Sequence, residues 1–251
     1  MMKSKTGALV LPVCLCLSFA MTANAEDKPA EVFVYSTYHY CDFSKQDRAD
    51  ELFEQSQKPS FEAAIKDGSI TSYGWLAHNT GGQWRRADYF TAGSVQGLID
   101  AQKKMNDADD AKAKKAFAEF GGICSSHDDY IWRRVAGNIG TTDRGGAAFS
   151  TYYVCDQGRE DQADELVKSA LAPIFDKLKS DGKLKTWGWN EHIVGGEYRR
   201  LATMSATDIK SLMEARGALV EALDNNPAGD LLTEICPTHT DYIWEIKSQA
   251  P

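Results

Sequence analysis

The segment GWLAHNTGGQWRR, residues 74–86, returns 114 positions later as GWNEHIVGGEYRR, residues 188–200. The same offset aligns residues 36–86 with residues 150–200, with identical residues at 21 of 51 ungapped positions. Chance would give only a few such identities. The chain therefore contains two copies of one module, which is fewer than the three or more copies that a solenoid needs.

A second motif is also duplicated, at a slightly shorter offset of 112 positions. CSSHDDYIW, residues 124–132, returns as CPTHTDYIW, residues 236–244. Neither repeated motif matches a catalytic signature. We also find no Ser-His-Asp order, no phosphate loop and no convincing pair of catalytic carboxylates in the sequence. The repeat thus indicates architecture and does not name a reaction.

Residues 1–25 have the features of a secretory signal peptide. Lys3 and Lys5 form a basic start, an apolar run covers residues 8–20, and an Ala-x-Ala pattern ends at Ala25. The apolar run is shorter than the roughly 20 residues that a membrane-spanning helix needs. We therefore predict cleavage after Ala25 and export to the periplasm or the medium.

The overall charge excludes some classes of partner. The chain has 28 Lys and Arg residues against 36 Asp and Glu residues, a formal charge of −8, which becomes −10 once Lys3 and Lys5 leave with the signal peptide. An acidic surface is unsuited to nucleic acids and to anionic membranes, and no later stretch is apolar enough to span a bilayer. A small molecule remains the expected partner.

Each copy shows the same order of predicted elements. In the first copy we predict strands at 32–40, 70–78, 84–90 and 129–135, helices at 47–66 and from 94 onward, and a hairpin turn at 79–83. Pro59 and Pro173 predict a kink or a restart in the first helix of each copy. The order β-α-β-β-α-β is the split βαβ of ferredoxin-like folds. We therefore predict an α+β chain with modules at 26–136 and 147–251, joined by a Gly-rich linker at 137–146.

Two such modules in one chain resemble the dimeric α+β barrel superfamily. The resemblance is one of topology, covers about 210 residues and identifies no particular member family. It implies a monomer with an internal pseudo-two-fold axis, in which two antiparallel sheets lie face to face with the helices outside. A cavity between the sheets, or between sheet and helices, is then the natural ligand site. Members of the superfamily bind small organic molecules, and some bind haem.

Four cysteines remain after the signal peptide, and in an exported chain they favour two disulfides with three possible connectivities. The ferredoxin-like strand order 4-1-3-2, which the resemblance implies, brings the end of strand 1 next to the start of strand 4. That order selects Cys41–Cys124 and Cys155–Cys236. The alternative is a C-x-x-H metal site, but one such motif supplies only two ligands, so we expect no metal.

Four of the five histidines fall in the repeated motifs: His78, His127, His192 and His239. Together they would suggest a zinc or haem centre. Strands 2 and 4, however, are taken to run in the same direction at opposite edges of one sheet. His78 ends strand 2 and His127 begins strand 4, so we expect the two at opposite ends of the module. We therefore predict no four-histidine centre and no resident cofactor.

The repeated motifs contain two candidate ligand sites. His127 with Asp129, and His239 with Asp241, are either structural hydrogen-bonded pairs or Asp-oriented imidazoles that act as acid, base or ligand. The second site lies at the hairpin, where an imidazole and a guanidinium could hold a carboxylate or another anion. The alternative is a solvated hairpin with arginines paired to acidic residues. The residues of this second site are His78, Arg85, Arg86, His192, Arg199 and Arg200.

Three functions fit these observations. The first is a non-catalytic exported protein that binds an unknown small molecule in a cavity of the double module. The second is an enzyme, such as a cofactor-free oxygenase or isomerase, that uses His78 or His127 and their counterparts. The third is haem binding through one histidine. The aromatic residues of strands 2, 3 and 4 are expected to form the core, and an aromatic-lined pocket is the alternative.

Overall fold

A computed structural model describes residues 1–2, 31–108, 110–138, 143–224 and 226–251. The predicted signal peptide, beyond its first two residues, and positions 139–142 of the predicted linker lie outside the described residues. In the described part of the chain, no helix is long and apolar enough to cross a membrane.

Each copy contributes four strands to the fold. They are β1 Phe33–Tyr40, β2 Ser72–Gly81, β3 Arg86–Ala92 and β4 Ser126–Gly137 in the first copy, and β5 Ala147–Val154, β6 Thr186–Val194, β7 Arg200–Ala206 and β8 Thr238–Ala250 in the second. The helices are α1 Gln46–Lys66, α2 Val95–Ala108, α3 Ala111–Ile123, α4 Glu160–Leu166, α5 Ala172–Ser180, α6 Ile209–Leu223 and α7 Pro227–Ile235.

The eight strands form one closed antiparallel barrel in the order β1-β3-β2-β8-β5-β7-β6-β4. Within each copy the order agrees with the predicted 4-1-3-2 sheet. The edges of the two sheets are also joined, because β2 pairs with β8 and β4 pairs with β6. Closure leaves none of the described strands with an unpaired edge, which removes a site of edge-to-edge association. The helices lie outside, and each set packs on its own sheet through a separate apolar cluster.

The predicted direction of strands 2 and 4 is wrong. Three antiparallel pairings separate β4 from β2, through β1 and β3. Each pairing reverses the direction, and three reversals leave β2 and β4 antiparallel. The end of β2 therefore lies at the same end of the barrel as the start of β4. This is also the end where β1 and β5 finish, and we call it the disulfide end. The opposite end, where β4 finishes and β5 begins, is the linker end.

The predicted disulfides are confirmed. Cys41 is bonded to Cys124 and Cys155 to Cys236, across 83 and 81 residues of sequence. In each copy the bond joins the residue that follows the first strand to a residue two positions before the last strand. The strand order thus determined the pairing, as expected.

The helices differ from the prediction in two respects. The stretch before each last strand holds an additional helix, α3 or α7, which ends directly at Cys124 or Cys236. Pro59 lies inside the continuous helix α1. At the equivalent place in the second copy, a π-helical turn at Val167–Leu171 separates α4 from α5, and Pro173 lies in the first turn of α5. The predicted restart therefore occurs in the second copy.

The two repeated motifs meet each other across the junction between copies. Gly81 in β2 has φ +128°, and a Cβ there would lie 2.2 Å from the backbone oxygen of Asp241 in β8. Gly195 has φ +144°, and a Cβ there would lie 2.3 Å from the ring of Tyr130. Only glycine combines such a backbone with so close an approach. The paired glycines of one copy therefore accommodate the DYIW strand of the other.

Candidate functional site

The disulfide half of the barrel interior is filled by aromatic side chains. They form one buried cluster that includes Tyr38, Trp84, Tyr130, Trp132, Tyr152, Tyr242 and Trp244, with Tyr198 packed against them. Tyr38 stacks on Trp84 with ring centroids 4.3 Å apart, and its edge meets Tyr152 at 5.3 Å. Burial raises the pKa of Tyr130 and of Tyr242 to about 12, so these phenols stay neutral. This aromatic plug closes one end of the barrel.

The other half of the interior is a cavity of about 240 Å³. Tyr38, Tyr152 and Trp132 of the aromatic plug border it, and the mouth near Asn138 and Pro251 lies at the linker end. Its volume is near the lower limit of the roughly 300–1,000 Å³ that is typical of small-molecule sites. The lining mixes apolar side chains with hydroxyls: Val34, Leu76, Ala87, Leu201, Met204 and Ile246, with Ser36, Ser72, Thr91, Ser150, Thr186, Thr203 and Ser205.

Arg134 extends into this cavity from β4. Its Nε donates a hydrogen bond of 2.8 Å to Oδ1 of Asn190, whose Nδ2 donates to the backbone oxygen of Leu201. The guanidinium lies across Gly188, where a Cβ would be 3.1 Å from its Cζ. A larger residue at position 188 would therefore displace the arginine. Burial lowers the pKa of Arg134 from its ordinary value, and the nearby charge of Arg144 lowers it further.

Arg144 lines the same cavity at the linker end. Its Nη2 donates to the backbone oxygens of Tyr73 and Ala250, and its Nε donates to Oε1 of Gln249. The guanidinium carbon is 5.5 Å from the centroid of the Tyr89 ring, which is cation–π range. These contacts fix the head group of Arg144 at the cavity wall.

The predicted hairpin residues lie at the disulfide end and do not border the cavity. Arg85 donates to Nδ1 of His78 at 3.0 Å, and Arg199 donates to Nδ1 of His192 at 2.8 Å. Burial lowers the pKa of both histidines, and the neighbouring arginine charges lower it further. Each neutral imidazole presents its edge to the aromatic plug, at 6.1 Å from Trp244 or Trp132.

The other arginine of each hairpin joins the sheet to a helix. Arg86 forms a two-pronged ion pair with Asp50, and Arg200 forms one with Asp164. The same carboxylates accept hydrogen bonds from the indoles of Trp75 and Trp189. Glu160 in addition bridges Arg199 and Arg200. The guanidinium groups of Arg86 and Arg200 therefore donate to carboxylates of the protein itself, as the structural alternative for the hairpin expects.

The His and Asp side chains of the C-x-x-H-x-D motif lie within ion-pair distance of each other but form no hydrogen bond in either copy. His127 Nε2 lies 3.3 Å from Oδ2 of Asp129, and His239 Nε2 lies 3.7 Å from Oδ2 of Asp241. Both histidines are exposed. They lie at the same end of the barrel as His78 and His192, which corrects the predicted separation. Even so, no group of three or more His, Cys, Asp or Glu side chains in the described ranges is arranged to hold a metal ion.

A buried histidine outside the repeated motifs escaped the sequence reasoning. His39 Nε2 lies 2.7 Å from Oδ2 of Asp88, between the outer face of the first sheet and its helices. The ring of Phe120 meets that of His39 edge-on. The second copy has Tyr153 and Ala202 at the equivalent positions, so the pair belongs to one copy only.

The cavity arginines were also missed, because the search followed residues that the two copies share. Arg134 and Ile246 are equivalent, as are Tyr89 and Thr203. A signal was present in the sequence. Tyr130, Trp132 and Arg134 alternate along one strand and so face one side. When every second residue of a strand faces the interior, a charged residue at the next such position indicates a polar site inside the barrel.

Comparisons with known proteins bear on the fold. No family model matches the chain, and no curated protein matches it. A protein of Lactobacillus acidophilus, provisionally described as a monooxygenase, has a similar structure with a TM-score of 0.61 and 7% sequence identity, over 88% of this chain and 96% of that one. A second such protein, from Fusobacterium nucleatum, has a TM-score of 0.56 and 8% identity, over 88% and 94%. At these low identities the likenesses show that the chain shares its overall fold with these two proteins.

Proposed function

We propose that this chain is an exported protein that binds a small organic molecule inside its barrel. The observation that carries the proposal is the 240 Å³ cavity between the two sheets. Protein interiors are normally packed to the density of organic crystals, with few voids larger than a water molecule. A cavity that is enclosed by eight strands and bordered by two arginines is therefore a built feature of the fold.

The alternative position between sheet and helices offers less room. In the first copy Phe53 stacks on Trp75 at 4.3 Å, and both are buried with Phe61 and Phe90 in one apolar cluster. The second copy has a matching cluster around Trp187. Side chains fill these layers, so they support ligand binding less well than the interior of the barrel does.

Export rests on two separate observations. Residues 1–25 have the composition of a signal peptide, and both predicted cysteine pairs are oxidised. Disulfides of this kind persist in oxidising compartments and are rare in the cytosol. N-terminal sequencing of protein from the periplasm or the medium should begin at Glu26, and an N-terminus that retains Met1 would refute cleavage.

A cavity-filling variant tests the proposed site. Ala148 borders the cavity, and Ala148→Leu adds three carbon atoms there without removing a polar group. We expect natively purified wild-type protein to release a small molecule on denaturation, detected by mass spectrometry, and the variant to release much less. Ala118→Leu makes the same chemical change on the exposed face of α3 and should release as much as wild type. Equal release from wild type and Ala148→Leu would place the ligand elsewhere.

An enzyme of the oxygenase type is the second candidate. Its support is the fold that the chain shares with two proteins provisionally described as monooxygenases, together with the tyrosines that border the cavity. Oxygen consumption in the presence of the released molecule tests it. Turnover that Ala148→Leu abolishes and Ala118→Leu retains would favour the enzyme, and absence of turnover would favour binding alone.

Haem binding has less support. No histidine in the described ranges borders the cavity, and His78 and His192 already accept hydrogen bonds from arginines. None of these imidazoles is therefore placed to ligate the iron of a haem bound in the cavity. An absorbance scan of natively purified protein should show no Soret band, and a band that survives gel filtration would restore the haem hypothesis.

A further inference from the structure

Two positive charges border the cavity, and neither has an acidic partner in the described structure. Arg134 donates to the side-chain oxygen of Asn190. Arg144 donates to the side-chain oxygen of Gln249 and to two backbone oxygens. All of these acceptors are uncharged. Asp88 also borders the cavity, but its carboxylate is bonded to His39 on the outer side of the sheet. The protein as a whole is acidic, with a formal charge of −8. The charge of the cavity is thus opposite to that of the surface.

An uncompensated charge in a partly buried site is unfavourable, and two like charges in one cavity are more so. The structure nevertheless holds both guanidinium groups firmly. Gly188 leaves the space in which Arg134 lies, and the ring of Tyr89 supports Arg144. A charge that is fixed in place without a counter-ion is suited to an anionic ligand, because the ligand supplies the missing charge when it binds.

The two copies differ at the cavity wall, and the difference orients the ligand. Arg134 and Asn190 lie on the paired strands β4 and β6, at one junction between the copies. Their counterparts, Ile246 and Leu76, are themselves paired across β2 and β8 at the other junction. The β4–β6 and β2–β8 junctions lie opposite each other in the barrel. Arg134 therefore faces the apolar pair across the cavity, while Arg144 is held by β2 and β8 at the linker end. Such a cavity fits a molecule with one anionic end and an apolar body.

We infer that the barrel interior binds a small organic carboxylate, with its head group on Arg134 and its body against Leu76 and Ile246, while Arg144 adds positive charge at the linker end of the cavity. This inference rests on the proposed function and names the chemical class of its ligand. The planar fork of a guanidinium matches a carboxylate in two parallel hydrogen bonds. The wall opposite Arg134 is aliphatic, and the plug side of the cavity is aromatic, which favours an organic acid over an inorganic anion.

Direct binding measurements test the inference on the full oxidised protein. The probes are benzoate, phenylacetate and hexanoate, each compared with its neutral amide, and the variant is Arg134→Gln. Arg133→Gln is the matched control, because Arg133 is adjacent on the same strand, does not border the cavity and pairs with Glu191 on the outside. It removes the same charge from the protein. We expect at least one carboxylate to bind wild type more tightly than its amide, and Arg134→Gln to weaken it roughly 10- to 100-fold. The control should bind as wild type does.

The outcomes separate the inference from the proposed function. If the amides bind as well as the acids, or if Arg134→Gln leaves carboxylate affinity unchanged, the cavity binds small molecules but the anionic site is wrong. If no probe binds wild type and natively purified protein releases only neutral molecules, the anionic site is wrong but the proposed function stands. If no probe binds and no small molecule of any kind is released, both proposals fall. A thermal melt adds an independent readout. Because Arg134 lacks an acidic partner, Arg134→Gln should melt at the same or a higher temperature without ligand, whereas a purely structural arginine would lower the melting temperature when removed.

Discussion

Arg134 lies at an inward-facing position of β4, two residues after Trp132, and its counterpart in β8 is Ile246. Identity between the copies identified the residues that build the barrel, such as Gly81 and Tyr130. Residues that build the barrel are the same in both copies, whereas residues that shape the cavity differ between them. Comparison of the two copies therefore identifies the barrel residues but not the cavity residues.

The neutral histidines of the hairpins predict a pH dependence of stability. Burial lowers the pKa of His78 and His192 below the ordinary 6.5, and Arg85 and Arg199 lower it further. Below about pH 6.5 the unfolded chain therefore binds more protons at these positions than the folded chain does. Their contribution to stability is present above pH 6.5 and is lost as the pH falls below it.

Urea unfolding at about pH 7.5 and about pH 5.5 checks this contribution. The double variant His78→Gln, His192→Gln keeps a hydrogen-bond acceptor for each arginine but cannot titrate. We expect the variant to lose less stability than wild type between the two pH values. Identical losses would mean that protonation of these histidines does not oppose folding.

At the scale of the elements, the pairs Arg86–Asp50 and Arg200–Asp164 fasten a helix to the sheet in each copy. Removing one partner from a buried ion pair costs roughly 3–5 kcal/mol, because the other charge is left unpaired. Arg200 is 2% exposed and Asp164 is 6% exposed. Asp164→Ala leaves Arg200 with Glu160 as its remaining acidic partner and removes the acceptor of the Trp189 indole. We therefore expect it to lower the free energy of unfolding by about 3 kcal/mol, the lower end of that range.

Asp161→Ala is the control for this variant, since Asp161 is exposed on the same helix and should change stability by less than about 0.5 kcal/mol. Chemical denaturation compares the two variants with wild type. A cost below about 1 kcal/mol for Asp164→Ala would show that the pair is not structural, and would return Arg200 to the list of ligand-binding candidates.

Element order was largely readable from the sequence, because alternation and helical periodicity are local. The additional helix α3 was not, since residues 111–123 are rich in Ala and Lys and show only a weak apolar stripe. The placement of His78 and His127 was predicted wrongly for a different reason. The position of each histidine along its strand was predicted correctly. The relative direction of β2 and β4, which are not neighbours, depends on all three strand pairings that lie between them.

At the scale of the whole molecule, each copy completes the other. The first copy alone would expose the edges of β2 and β4, which now pair with β8 and β6. It would also expose the inward-facing rings of Tyr38, Trp84 and Trp132. Open edges and exposed apolar faces both promote association.

We therefore expect residues 26–138, expressed alone, to dimerise or aggregate, whereas the full chain should be a monomer. Size-exclusion chromatography with light scattering distinguishes these outcomes. The full chain is the control for oxidation and handling. A half-chain that stays a soluble monomer at high concentration would contradict the account of barrel closure, and the interior cavity would lose its basis.

The most direct test of the central claim is a high-resolution crystal structure of the natively purified full chain, without added ligand. We predict non-protein electron density between the sheets, with an anionic group in contact with Arg134 and an apolar part toward Ile246. A cavity that contains only ordered water, or a ligand bound between sheet and helices, would contradict it.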